Sequence, residues 1–215
     1  MTASDGRQGQ GAGTPVPRSA SSVPAAGLPD YAELRCVSTF SFLVGASQPE
    51  ELVERAHKQG YRALALTDEC SVAGVVRAHV AAKKIGLKLL IGSQFSVAVP
   101  EPSGDDAPGP FSLGVLACNL NGYGNLCEFV TKLRRASEKG TYHLNLGDIA
   151  SDELADCVVV ASPVRGSTDA QLVGLARWLL THFTGRCWLG VELLRQLDDE
   201  MWLHKLREAS DLSAI

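Results

Sequence analysis

The chain has 215 residues, 45% of them apolar and 20% charged, which is enough material for one sizeable buried core. A formal net charge of −4 with no long basic run argues against a surface that holds nucleic acid through phosphate contacts alone. No stretch approaches the roughly eighteen apolar residues of a membrane-spanning helix, and the six scattered cysteines, without a CxxC pair, read as reduced thiols of a cytoplasmic protein.

Residues 1–29 are rich in Gly, Ser, Ala, Pro and Gln and lack aliphatic anchors, so a disordered tail is expected there. Residues 30–215 carry alternating strand-like and helix-like segments, the signature of an α/β architecture. The first strand is expected over about residues 33–38. Residues 47–50, Ser-Gln-Pro-Glu, read as a capping box for a helix through Leu52, Val53 and Ala56 that stops at Gly60. Residues 63–67 are short and nearly all apolar, as in a strand covered on both faces, and Asp68 follows at its carboxyl end. A helix over 72–85 is closed by Gly86. A strand over 87–99 then enters the Pro/Gly-rich loop 100–110.

The second half repeats this rhythm. A strand is expected over 111–117, and Leu126, Phe129, Val130 and Leu133 mark one face of a helix ending at Gly140. A strand over 157–161, a helix over 170–182, a strand over 187–193 and a helix over 198–209 follow. No strand signal comes after that helix, so the expected fold is incomplete at its carboxyl end.

Ligands of βα folds bind beyond the carboxyl ends of parallel strands. The polar residues expected there are Arg35, Asp68, Glu69, Gln94, Asn119 and Glu192. The pair Asp68-Glu69 is the best local signal for a metal-binding or catalytic carboxylate; the plainer alternative is Asp68 capping the following turn. The five histidines show no HxH or HxxxH spacing, which removes support for a conventional zinc or iron site. There is no Gly-rich phosphate loop and no nucleophile elbow. Residues 119–126 read as a loop entering a helix, with Tyr123 a packing anchor. The basic residues Lys132, Arg134, Arg135 and Lys139 read as a solvated helix face.

Specific residues carry a family likeness. The stretch 31–47 (YAELRCVSTFSFLVGAS), with PEEL at 49–52, ALALTD at 63–68, AGVV at 73–76, IGS at 91–93, LACN at 116–119 and GYGNL at 122–126, resembles the polymerase and histidinol phosphatase (PHP) domain. That domain opens bacterial C-family DNA polymerases. Phe40-Ser-Phe-Leu43 with Gly45-Ala-Ser47, and GRCWLGVEL at 185–193, look like the error-prone branch of that family. The likeness runs over about residues 31–212.

The resemblance implies a distorted (βα)7 PHP-type barrel, here cut off before its last strand, with a metal cluster at the strand ends of its metal-competent members. Those members carry an HxH pair where this sequence has Arg35 and Val37, and an acidic ligand where it has Val44. Asp68 is kept. Glu69 stands for a histidine, Gln94 for the glutamate of the third strand and Ser112 for the histidine of the fourth. A late Gly-Asp-x-His motif would lie past Ile215. The strand-end cluster Arg35, Asp68, Glu69 and Gln94 is therefore expected to be vestigial, holding no metal, with Asp68 and Glu69 paired to Arg35.

The implied function is that of an N-terminal PHP-like domain fragment of an error-prone, translesion DNA polymerase acting in DNA replication, repair and damage tolerance. It would have a scaffolding role and no catalytic residue of its own. Nucleotidyl transfer, and the Mg²⁺ held by palm carboxylates, would belong to the parent enzyme. Its partners would be the remaining polymerase domains, DNA through the parent, and other mutasome proteins, without a membrane. The alternatives are a free-standing metal-dependent phosphoesterase of the same fold and a non-catalytic interaction module.

Overall fold

The computed structural model describes residues 30–99, 107–150 and 152–215. The expected tail at 1–29 and most of the loop at 100–110 lie outside the described residues. In chain order the elements are β1 (Ala32–Cys36), α1 (Pro49–Lys58), β2 (Ala63–Leu66), α2 (Val75–Ile85), β3 (Lys88–Val97), β4 (Phe111–Ala117) and α3 (Leu120–Arg135). A single 3₁₀ turn (Leu146–Asp148) precedes β5 (Cys157–Pro163), α4 (Asp169–His182), β6 (Cys187–Leu189) and α5 (Asp199–Ser213).

Local chemistry sets the helix ends, in several places not where the sequence pattern puts them. The α1 start lies one residue later than the expected box: Glu51 accepts from the Gln48 backbone N–H at 2.8 Å. Glu50 is left to pair with Arg77 of α2. The beginning of α2 is Val75 rather than residue 72, because Ser71 Oγ accepts from the Ala73 N–H at 3.2 Å and turns the chain first. Its end is Gly86, at φ +79, a left-handed cap that glycine adopts without a Cβ clash. Residues 119–126 are not a loop. Asn119 caps α3 by accepting from the Gly122 N–H at 3.0 Å, and the helix is under way from Leu120. A capping box at Thr168 and Gln171 opens α4, with bonds of 2.9 and 3.2 Å.

The six strands pair in the order β1-β2-β3-β4-β5-β6. β1, β2 and β3 run parallel, as do β5 and β6, but β4 is antiparallel to both of its neighbours. The uniform βα repeat is thus interrupted: among the described residues no helix separates β3 from β4, and the two pair antiparallel, so the chain reverses direction between them. The rim formed by the carboxyl ends of the other strands receives the start of β4, where Ser112 pairs with Ser96 and Ser162. Asn119, after the end of β4, lies on the opposite side of the sheet and leaves the candidate set. β6 is shorter than expected. After Leu189, the Gly190 N–H donates to Ala161 O at 2.7 Å, and residues 191–193 are not strand.

The result is an α/β fold whose sheet curls part-way into a barrel, with β1 and β6 as its two edge strands. All four residues of β2 are buried, as a central strand covered on both faces requires. Val53 and Ala56 of α1 and Val75, Ala78 and Ala82 of α2 pack with Leu64 and Leu66. A larger core joins Phe95, Leu113, Val115 and Val159 to Leu126 and Phe129 of α3 and Leu175 and Leu179 of α4. Leu172 of α4 with Trp202, Leu206 and Ala209 of α5 makes a third, smaller cluster.

Candidate functional site

Arg35 is the next-to-last residue of β1, so strand pairing delivers its guanidinium to the rim. Its Nε donates to Gln94 Oε1 on β3 at 2.8 Å, and Gln94 Nε2 donates to Glu69 Oε2 at 2.9 Å. The Glu69 backbone bridges to Gln94 in parallel register, which places the two side chains side by side. Glu69 Oε1 accepts from Ser96 N–H at 3.2 Å, from Ser96 Oγ at 3.0 Å and from the Tyr142 hydroxyl. Burial, reinforced by that bond to Glu69, pushes the Tyr142 phenol well above its ordinary range. Arg134 of α3 closes the chain of contacts: it donates to Glu69 O and Cys70 O, each at 3.2 Å, and lies 5.5 Å from the Tyr142 ring centre.

The other face of the Arg35 guanidinium meets the Glu192 carboxylate, two residues past Gly190. Half-burial lowers the Arg35 pKa, and the fields of Glu69 and Glu33 oppose that shift. Arg35, Ser112 and Glu192 line one cavity of about 230 Å³ together with Ser162, Arg165 and Trp202. Arg165 is committed to Asp198 at 2.8 Å and to Asp199.

Asp68 departs from expectation. The residue is 1% exposed, and its carboxylate is held by the turn after β1. Oδ1 accepts from Ser38 N–H and Ser41 Oγ, each at 2.7 Å, and Oδ2 accepts from Ser38 Oγ at 2.8 Å. Charge-assisted bonds of this kind contribute about 1.5–3 kcal/mol each, so three local donors hold a buried carboxylate better than one half-exposed guanidinium. The expected Asp68–Arg35 pair is replaced by a buttress under the turn that follows β1. Glu69 does communicate with Arg35, through Gln94 rather than by direct contact.

That turn is tightly built. Ser41 O accepts from the Gly45 N–H at 2.9 Å, and a Cβ on Gly45 would stand 1.9 Å from Ser38 O, so no side chain fits there. Leu43 takes φ +63, a left-handed conformation that costs a non-glycine residue about 1–2 kcal/mol. Val44, in the place of an acidic ligand, is 69% exposed.

Five participants escaped the sequence reading: Ser38, Ser41, Ser96, Tyr142 and Arg134. Serines have no periodicity to betray them, and Tyr142 lies in an irregular stretch after α3. Arg134 was expected in solvent with Lys132 and Arg135, but it is half-buried against the β2–α2 connection. Its spacing from the buried Leu133 offered no warning.

Among the described residues, no three His, Cys, Asp or Glu side chains come together as a metal site. The oxygens of Asp68 and Glu69 face N–H and O–H donors, and Arg35 brings a fixed positive charge between β1 and β3. This donor set does not fit a cluster of divalent cations, which needs open anionic or imidazole ligands. Nor is there an activated thiol beside it: burial pushes Cys36 and Cys70 up to about 11.

Comparison with known proteins agrees with this fold. A family model, PHP domain, matches residues 33–170. An error-prone DNA polymerase of Ralstonia nicotianae is 50% identical over an alignment of 184 residues that covers 80% of this chain and 16% of that protein. The error-prone DNA polymerase of Bordetella parapertussis is 46% identical over 196 residues, covering 87% of this chain and 18% of its own length. The chain therefore spans less than a fifth of these relatives. Among solved structures, an amidohydrolase from Chromobacterium violaceum superposes with a TM-score of 0.62 at 17% identity, over 86% of this chain and 84% of that one. A protein described as a metal-dependent phosphoesterase from Bifidobacterium adolescentis gives 0.56 at 18% identity, over 87% and 85%.

Proposed function

The chain belongs to the PHP domain family, and from that premise we propose that it is the PHP domain of a bacterial error-prone DNA polymerase, serving as a scaffold without chemistry of its own. The observation that carries this reading is the 45–50% identity to error-prone DNA polymerases over most of the chain, each of them matched over only 16–18% of its length. Nucleotide addition, the Mg²⁺ that supports it and DNA contact would belong to the remaining polymerase domains, and damage tolerance to the whole enzyme. No helix among the described residues is long and apolar enough to cross a membrane, in keeping with work in the cytoplasm. Residues 30–215 would form the domain.

The strand-end site supports scaffolding over catalysis. Arg35, Gln94, Glu69 and Tyr142 form a closed polar chain at the position where related barrels gather metals, and Asp68 is spent on Ser38 and Ser41. A free-standing phosphoesterase would need ligands that this set does not offer.

The test is a domain exchange. With this chain in place of the matched 184-residue stretch of the Ralstonia polymerase, the hybrid should extend a primer, while the chain alone should not. The isolated chain should also hold no stoichiometric Zn²⁺ or Mn²⁺ by elemental analysis and leave 3′ ends and phosphate monoesters intact. A hybrid without extension, or an isolated chain with metal-dependent nuclease activity abolished by Asp68→Asn, overturns the proposal.

A further inference from the structure

The turn after β1 is rigid inside and apolar outside. Phe42 is 84% exposed, Leu43 91% and Val44 69%, with Phe40 39% exposed beside them. Exposed apolar residues scattered singly are ordinary; three adjacent ones at the tip of a turn form a patch. Flexible loops shed such patches by rearranging, but this one is fixed. Ser38 and Ser41 are tied to the buried Asp68, the Thr39 N–H donates to Ser47 O at 2.9 Å, and Gly45 permits the close return of the chain. Leu43 is held at φ +63 and points no contact of its own back into the core.

The chemistry of the knob limits what it fits. Residues 39–47, Thr-Phe-Ser-Phe-Leu-Val-Gly-Ala-Ser, contain no charged side chain. Nucleic acid is bound through Lys and Arg facing phosphate, so an uncharged turn suits a protein surface instead. Preordered apolar anchors entering a pocket are what carry affinity in protein interfaces.

We propose that Phe42, Leu43 and Val44 form a preformed knob that seats in an apolar pocket on the polymerase domains outside this chain. The inference rests on the polymerase reading above, under which more than four-fifths of the parent polypeptide lies beyond the matched stretch. Asp68 and its two serines then act as positioning residues for the knob.

The experiment uses Leu43→Cys, an exposed position whose change leaves the buttress untouched. Alkylation of residue 43 is followed by peptide mass spectrometry in the chain alone and in the Ralstonia hybrid. The expected result is labelling at least about tenfold slower in the hybrid, as for a site reached only through opening, while Cys118, exposed on the far side of the sheet, labels alike in both. Equal labelling at residue 43 in a hybrid that extends primers overturns the knob and leaves the polymerase reading standing. Failure of primer extension with residue 43 protected overturns that reading instead. Concentration-dependent protection in the chain alone, with a dimer mass, assigns the knob to a second copy and also overturns the proposal. Should the hybrid not fold, the chain is mixed with the Ralstonia polymerase lacking its matched stretch, and absence of protection there counts against the knob.

Discussion

Arg35 on the edge strand β1 and Glu192, three residues past the opposite edge strand β6, touch. Four strands lie between those edges in pairing order, so only the curl of the sheet brings the two residues together. The pair is part-exposed, with 38% and 45% of the side chains open to solvent, and by itself contributes at most about 1 kcal/mol. Its value is geometric: it marks where the curled sheet approaches itself without backbone pairing.

Asp68 should prove to be the structural keystone of the rim. Asp68→Ala removes the acceptor for Ser38 N–H, Ser38 Oγ and Ser41 Oγ together. The expected loss is about 2–4 kcal/mol in urea unfolding, against less than about 1 kcal/mol for Glu192→Gln at the exposed pair. Equal effects would show that the buttress under the turn is dispensable.

Glu69 and Tyr142 are expected to act as a unit. Removing either strands part of a network that includes Gln94, Ser96 and Arg134. A double-mutant cycle with Glu69→Gln and Tyr142→Phe should give a coupling of about 0.5–3 kcal/mol. Strict additivity would mean the two side chains do not share one network in solution.

Two glycines two residues apart in α3, Gly122 and Gly124, should respond oppositely to alanine. At Gly122 a Cβ would stand 2.1 Å from Asp156 O, so Gly122→Ala must push the helix off the β5 side and destabilise the fold. At Gly124 nothing lies within 4 Å, and Gly124→Ala should stabilise by about 0.5–1 kcal/mol through helix propensity. Thermal melts of the two variants read the signs directly.

The buried thiols set an alkaline limit. Burial raises Cys36, Cys70 and Cys157 from an ordinary 9.0 to about 11. A raised thiol pKa favours the folded state's protonated form, so this contribution is unchanged below pH 9 and is lost progressively as the unfolded thiols ionise between about pH 9 and 11. Stability should fall over that window, and the Cys36→Ser, Cys70→Ala, Cys157→Ala triple variant should flatten the fall. At pH 8 the exposed Cys118 should be alkylated well before these three. A flat profile to pH 11 in the native chain would contradict the assignment.

The α/β class, the order of elements and most rim residues were legible because hydrophobic periodicity and strand-end position follow from local sequence. The reversal of β4 was not. A strand with alternating burial, as in Phe111–Ala117, looks the same in either direction, and only the missing helix before it hinted at a hairpin. That one reversal removed Asn119 from the site and explains Ser112's place in it. The partners of Asp68 were equally hidden: a carboxylate after a buried strand advertises a site, but the serines that hold it lie 27 and 30 residues earlier in the chain.

The same reversal bears on the order in which the chain folds. Among the described residues, β3 and β4 are the only neighbouring strands with no helix between them, and the larger core gathers on them with α3 and β5. Pairs closed by short loops form before pairs that wait for a crossover. The middle of the chain should therefore nucleate, and the outer parallel strands should add later. In φ-value terms, Val115→Ala should slow refolding, whereas Val53→Ala, under the early helices, should mainly speed unfolding. The rim draws Arg35 from one flank and Glu192 from the other, so it is assembled last, and every defect in the flanks surfaces there first.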